Sequence, residues 1–425
     1  MLRKALLIAL AIVPFHCLPV LAQSYTPAHI LFKGDTGYTS DELLAFTSLK
    51  KGAPLTQADM NDRTKQLMDT GLFEDVSFAY KNQDLVFQLT PVTALYPVTL
   101  ENIPLSGPDV DAHLHARLPL YHGKLPAGGS IVDQVSREIA AALKEKGIAA
   151  EINAAPYTDP ELGVITSEKF TITSPEITLG TIQLSGASAE FASPAASAAS
   201  RVTGNPYSAQ GSTSQIESAL NHFYGERGYI GASYQIAPAA APIVDATGVH
   251  VPFTVTVTEG PQFHLGSITL APELVVTQQA FDKQSGLRSG EVVSPEKLRE
   301  NWGYITRQYH NKGYMHARIT PQETIDHSAA TVSYTVTAVP GPVYTMGILR
   351  VDNVADDLRA AIAKAWPVSA GAPFNEGAIL SMTATNNVNP ALERVFAQTT
   401  LHYSLNLHDD THTVDLTLRL DKKRP

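Results

Sequence analysis

Hydrophobic positions along this chain change period repeatedly, and the changes come in step. Large apolar residues at helical spacing run up to a glycine that is followed by another apolar or aromatic residue. The endings are Gly71-Leu72, Gly147-Ile148, Gly228-Tyr229 and Gly313-Tyr314. Leu67, Leu143, Tyr224 and Tyr309 stand one turn before these glycines, and Ile139, Leu220 and Ile305 a turn earlier in three copies; Arg63 breaks the stripe in the first. Such spacing lays a buried stripe along an amphipathic helix. A glycine just past the last turn adopts the left-handed conformation that ends it. Ser294-Pro295-Glu296 marks a start, with a cap and then proline at the first helical position.

Strand period follows each helix. Phe253, Val255 and Val257 alternate with threonines, and Val332, Tyr334, Val336 and Ala338 alternate with serine and threonines. Val414, Leu416, Leu418 and Leu420 repeat the pattern near the end, and Leu85, Phe87 and Leu89 near the start. Clean alternation means one face packed and one face wet. A further pattern opens three repeats: Pro175 to Leu184, Pro261 to Leu270 and Pro342 to Val351. Each has a bulky residue two after the proline (Ile177, Phe263, Tyr344), then Leu or Met, then glycine (Gly180, Gly266, Gly347), then apolar residues two apart. The unit is therefore strand, helix, helix, strand, strand in roughly 75–90 residues. The expected fold class is α+β, with two helices on a three-stranded mixed sheet, repeated in an elongated array. Five units are expected: 25–94, 95–174, 175–260, 261–341 and 342–423. The second and fifth diverge, the fifth having Gln398 where the helix-ending glycine should stand. Ala187 to Ser200 is expected to be an Ala/Ser-rich insert, a loop or poorly specified helix.

Composition narrows the function. The chain has 425 residues and a net charge of −10, which argues against the cationic footprint of a nucleic-acid binder. Cys17 is the one cysteine, so disulfide scaffolds and Cys-ligated metal centres are excluded. Arg3 and Lys4, the apolar run from Ala5 to Val13 and the small residue at Ala22 read as a secretory signal peptide, residues 1–22. The mature product is expected to be exported. His408-Asp409-Asp410-Thr411-His412 and the pair His113 and His115 with Asp109 and Asp111 carry metal-ligating types. The first run lies between two strand patterns, as a hairpin loop does. Both groups read as solvated turns or surfaces rather than metal sites. Trp302 falls on a helix stripe with Leu298 and Ile305 and reads as core. No nucleophile elbow, Walker loop or dinucleotide glycine pattern is present. The reading is non-enzymatic, with no cofactor and no metal.

The repeat resembles the POTRA domain. Val257-Thr258-Glu259-Gly260-Pro261-Gln262-Phe263-His264-Leu265-Gly266-Ser267-Ile268 is similar to that family's junction between successive modules. Ile30 to Gly34 resembles its opening strand. Tyr309 to Tyr314 and Tyr224 to Tyr229 resemble its helix end. The resemblance implies kinship with the periplasmic part of BamA/TamA-type outer-membrane assembly proteins. After the fifth unit only Asp421 to Pro425 follow, so no β-barrel is expected. It implies a periplasmic, outer-membrane-associated scaffold whose partners are unfolded outer-membrane protein clients or a β-barrel partner. Peripheral membrane association fits, and nucleic acid does not. The second strand of each module is implied to be an exposed edge that an extended peptide could join. Candidate edge strands are Tyr229 to Ile236, Tyr314 to Thr320 and Val76 to Tyr80. The candidate partner-binding residues are Tyr229, Ile230, Ala232, Tyr234, Tyr314, His316, Arg318, Val76 and Phe78. The alternatives are the soluble half of a split system with a separate barrel, and a secreted structural repeat protein.

Overall fold

In the computed structural model, the structure describes residues 23–239, 241–383 and 390–423. The expected signal peptide and Cys17 lie outside them. The chain forms two compact units. Among the described residues, one takes the chain up to Gln183 with Val202–Gln215 and Ala237–Thr254; the other takes Leu184–Arg201, Ile216–Ile236 and the chain from Val255.

Module one runs β1 (Ser24–Tyr25), β2 (His29–Lys33), α1 (Ser40–Thr47), β3 (Leu55–Thr56), α2 (Gln57–Asp69), β4 (Phe73–Lys81) and β5 (Asp84–Pro91). Module two runs β6 (Tyr96–Glu101), α3 (Gly107–Arg117), β7 (Lys124–Leu125), α4 (Ser130–Glu145), β8 (Glu151–Thr158) and β9 (Ile165–Ser174). Module three has β10 (Ile177–Ser185), α5 (Ala192–Ala199), α6 (Ala209–Gly225), β11 (Ser233–Pro238), β12 (Ile243–Asp245) and β13 (Gly248–Thr258). Module four has β14 (His264–Leu270), α7 (Gln278–Ser285), α8 (Pro295–His310), β15 (Arg318–Asp326) and β16 (Thr331–Val339). Module five has β17 (Thr345–Asp352), α9 (Asp356–Ala365), α10 (Gly377–Thr383), α11 (Pro390–Gln398), β18 (Thr399–His408) and β19 (Thr413–Lys422).

The sheet orders are β2-β5-β4, β7-β6-β9-β8, β10-β13-β11, β14-β16-β15 and β17-β19-β18. The last strand of each module is thus central. In modules one, two, four and five it pairs parallel to the first strand and antiparallel to the second. The mixed sheet follows from chain order: a helical crossover joins the parallel pair, and a short hairpin joins the antiparallel pair. The fold is α+β, with the expected β-α-α-β-β order. The helices cover one sheet face. In module four, Phe281 of α7 and Ile305 and Tyr309 of α8 pack on Leu270 and Val336. Trp302 joins this core, stacked on Phe281 at 6.3 Å.

Three elements differ from the sequence expectation. The Ala/Ser-rich stretch contains α5, which is module three's first helix rather than an insert. Ala195, Ala198 and Ala199 are buried, and Phe191 ahead of them packs edge-on against Phe223, Tyr224 and Tyr229 at 5.9, 5.9 and 5.3 Å. Alanine has the highest helix propensity, so composition that resembles low complexity can still make a helix once a large ring anchors it. The second strands of modules three and four also start late, at Ser233 and Arg318. Before them the chain turns, with Ala232 N–H donating to Tyr229 O at 3.1 Å and Ala317 N–H to Tyr314 O at 3.2 Å.

Module two carries an anomaly. Glu168 of β9 is only 1% exposed, and its Oε2 has no hydrogen-bond partner among the described residues. It pairs with Val98, whereas Val332 and Val414 take the matching places beside Leu265 and Met346. Burial pushes its carboxyl above the ordinary range. A raised carboxyl favours the fold below its unfolded pKa, and the advantage is lost as pH rises through the folded value. Glu168→Leu is therefore expected to stabilise module two by about 1–3 kcal/mol at pH 8. The gain should shrink in acid, with β9 hydrogen exchange as the readout.

Candidate functional site

The helix-ending glycines make the joints between modules. Gly228 and Gly313 have φ of +82° and +87°. Tyr229 and Tyr314 N–H donate back to Tyr224 O and Tyr309 O at 3.0 and 3.1 Å, which closes each helix. The glycine carbonyl then faces the next module. Phe263 N–H donates to Gly228 O, and Tyr344 N–H to Gly313 O, each at 2.7 Å. A Cβ on Gly228 would lie 2.8 Å from Phe263 O; one on Gly313 would lie 2.6 Å from Tyr344 O. Glycine is needed here for both its conformation and its lack of bulk.

Flanking residues repeat the same geometry. Two before the glycine, Glu226 accepts from the Glu296 N–H at 2.8 Å and from the Ser294 hydroxyl. Asn311, at the same place, accepts from the Gly377 N–H at 2.8 Å. Modules three and four thus each cap the second helix of the next, satisfying donors that a helix start leaves free. Two after the glycine, Ile230 packs on the cluster of Leu265, Val293, Leu298 and Val332, and Met315 is buried with Tyr344, Met346 and Val414. At the joint of modules one and two, Gly71 and Gly129 face each other; a Cβ on either would come within 2.4 Å of a backbone oxygen. A Cβ on Gly147 would meet nothing within 4 Å.

Histidine–carboxylate contacts join modules four and five. His310 Nδ1 lies 2.6 Å from Glu376 Oε2, and His316 Nε2 3.0 Å from Asp409 Oδ1. The Tyr344 hydroxyl donates to the same Asp409 oxygen at 2.5 Å. That bond pushes Tyr344 up to about 12 and, with His316, pulls the Asp409 carboxyl down. The His310 contact holds Glu376 below the usual carboxylate range. His122 and Glu42 make a like contact between modules two and one at 3.0 Å.

These joints absorb much of the candidate binding set. Tyr229 and Tyr314 pack edge-on against their own helices, at 6.2 Å from Tyr224 and 5.9 Å from Tyr309. Ile230 and His316 contact the next module, and Ala232 lies in the turn. Tyr234 lies in β11 and faces Tyr224 at 6.1 Å, its hydroxyl buried without a partner among the described residues. Arg318 is the exposed first residue of β15. Val76 and Phe78 lie in the edge strand β4; Val76 is buried, and Phe78 packs on Phe87 at 6.1 Å. In the last hairpin, His408 contacts Asp415 and His412 packs on Tyr344. Among the described residues, no group of three or more His, Cys, Asp or Glu is placed to hold a metal.

One recurring signal escaped the sequence reading. Gly52, Gly123, Gly204, Gly290 and Gly371 all have positive φ and precede the second helix. After three of them, Pro206, Val292 and Pro373 bridge to Thr178, His264 and Thr345 of the opening strand. The positive-φ glycine ahead of the second helix marks every module, including the fifth, which lacks the helix-ending glycine.

Residues 263–341 match the family described as "POTRA: Surface antigen variable number repeat". That segment spans all of module four, and the chain resembles POTRA-repeat proteins. A protein of Treponema pallidum (strain Nichols) named "Putative outer membrane protein assembly factor" is 25% identical over 124 residues, 29% of this chain and 15% of that protein. The chain therefore spans a small part of that relative. The solved POTRA3-5 segment of Haemophilus influenzae BamA is 14% identical, covers 59% of this chain and 98% of its own, and has a TM-score of 0.40. POTRA1-3 of Anabaena Omp85 is 17% identical, with 59% and 96% covered and a TM-score of 0.24.

Two outcomes follow for the joints. Gly313→Ala should loosen modules four and five, adding a clash to the roughly 1–3 kcal/mol of left-handed strain. Limited proteolysis near Gly341 should accelerate, while Gly147→Ala, set in open space, should leave cleavage there unchanged. Glu376, with its lowered pKa, contributes stability above the ordinary carboxylate range, and this is lost as pH falls through the folded value. The melting temperature of Glu376→Gln should therefore fall less steeply than that of the parent between about pH 5 and 3.

Proposed function

We propose that this chain is a non-enzymatic scaffold that binds polypeptides at its sheet edges. Its setting is the periplasmic side of an outer membrane, in the assembly or translocation of β-barrel proteins. Its partners are unfolded outer-membrane clients or a β-barrel protein. The observation that carries this reading is the repeated strand order, in which every module's second strand closes the sheet on one side. Such a strand presents unpaired N–H and C=O groups to an incoming strand. Backbone bonds then supply affinity, and alternate side chains supply selectivity. The POTRA match over module four supports the same reading.

Crosslinking in intact cells, followed by purification from the envelope through a C-terminal tag, tests it. The expected result is recovery of outer-membrane β-barrel proteins, either as a spread of clients or as one partner in near-equal amount. Recovery of the chain alone from the medium would contradict the proposal.

A further inference from the structure

We infer that β18 of module five, rather than the edges of modules three and four, is the main strand-accepting edge, and that it takes an extended segment of alternating apolar and polar residues. The inference rests on the proposed edge-binding function and assigns it a place.

The edge strands differ in how far they are blunted. Proteins protect edges with prolines, charges, bulges and shortness. β8 contains Pro156 and two register shifts. β11 has six residues and ends at Pro238. β15 holds Pro321 within an unbroken register, and an edge proline takes its place by facing its missing donor outward. β4 has a register shift between Phe73 and Asp75 and carries Glu74, Asp75 and Lys81. β18 has none of these devices. Its ten residues, Thr399 to His408, pair with β19 without a break, and they include no proline, lysine, arginine or carboxylate.

The two sides of β18 define the guest. Leu401, Leu405 and Leu407 pack partly against the module's core, and Tyr403 beside them stays 46% exposed. His402, Ser404 and Asn406 point to the other face and are exposed. A strand docked outside β18 would cover the leucine row with its apolar residues and set its polar residues beside Ser404. Strands that span a membrane in a β-barrel have this alternation and run about 9–11 residues, the length of the open edge. The backbone parity is also readable. Lys423 N–H donates to Gln398 O at 3.1 Å, and the register pairs Thr399 with Lys422. Even-numbered residues of β18 therefore bond to β19, and the N–H groups of 401, 403, 405 and 407 face outward.

The test places a benzoylphenylalanine photocrosslinker singly at Ser404, Ser77, Ala155, Gln235 and Gln322 of the full chain, one per edge. The probe is a biotinylated peptide of about ten alternating valines and threonines with lysine ends. A control peptide holds the same residues with the valines in one block. The inference expects adduct at Ser404 at least about fivefold above every other edge, and little with the control. Tyr403→Pro should cut the Ser404 adduct about tenfold, and Tyr403→Phe should not. Adduct concentrated at another edge would overturn the assignment while leaving edge binding intact. Equal adduct with the control would overturn the alternating guest. No adduct at any edge would overturn the inference together with the edge-binding reading beneath it.

Discussion

The bond from the Phe263 or Tyr344 amide to the carbonyl of the glycine that follows the preceding helix, Gly228 or Gly313, sets the terms for its surroundings. It requires a left-handed residue, because only that turn aims the carbonyl at the next module. It also requires the absence of a Cβ, because the partner's own carbonyl lies within 3 Å of where one would stand. Once the bond forms, the residue two before the glycine meets the next helix start, and the residue two after meets the next core. Glu226 and Asn311 then serve as caps, and Ile230 and Met315 as apolar plugs. One backbone contact thus brings a polar and an apolar contact with it at each of these joints.

The same geometry decides which backbone is left for others. The turn from Tyr229 to Ala232, and that from Tyr314 to Ala317, carries the chain past the joint before pairing begins. Their edge strands are correspondingly displaced and, in β11 and β15, blunted by proline. Module five is built differently: β18 follows α11 directly, and its ladder runs on to the bond between Lys423 and Gln398. What serves as a joint in modules three and four is an unbroken pairing edge in module five.

Much of this was legible in the residues. The helix-ending glycines, their apolar stripes and the alternating central strands are strong local signals, so the module and its element order were readable. The proline-led opening strands located Phe263 and Tyr344 but not their bonds, because a hydrogen bond between modules leaves no period in the sequence. For the same reason Tyr229, Ile230 and His316 read as strand residues: their apolar or alternating character is the same whether they face an edge or a neighbouring module. The α5 helix was hidden by composition, since its buried Ala195, Ala198 and Ala199 do not stand out from the alanines and serines around them and its anchor, Phe191, lies outside it. Glu168 was hidden by its type, because a carboxylate in a poorly alternating strand reads as solvent-facing. The glycine before each second helix was visible in all five modules, and it identifies the fifth better than the helix end does.

Amide hydrogen exchange resolved at Phe263 and Tyr344 tests the central claim most directly. If the glycine carbonyls hold the modules together, these two amides exchange as slowly as those of the central strands β13, β16 and β19, although both lie just ahead of their own strands. Exchange of either amide near the rate of an unprotected chain, with the central strands still protected, would mean that the joint is not held by this bond.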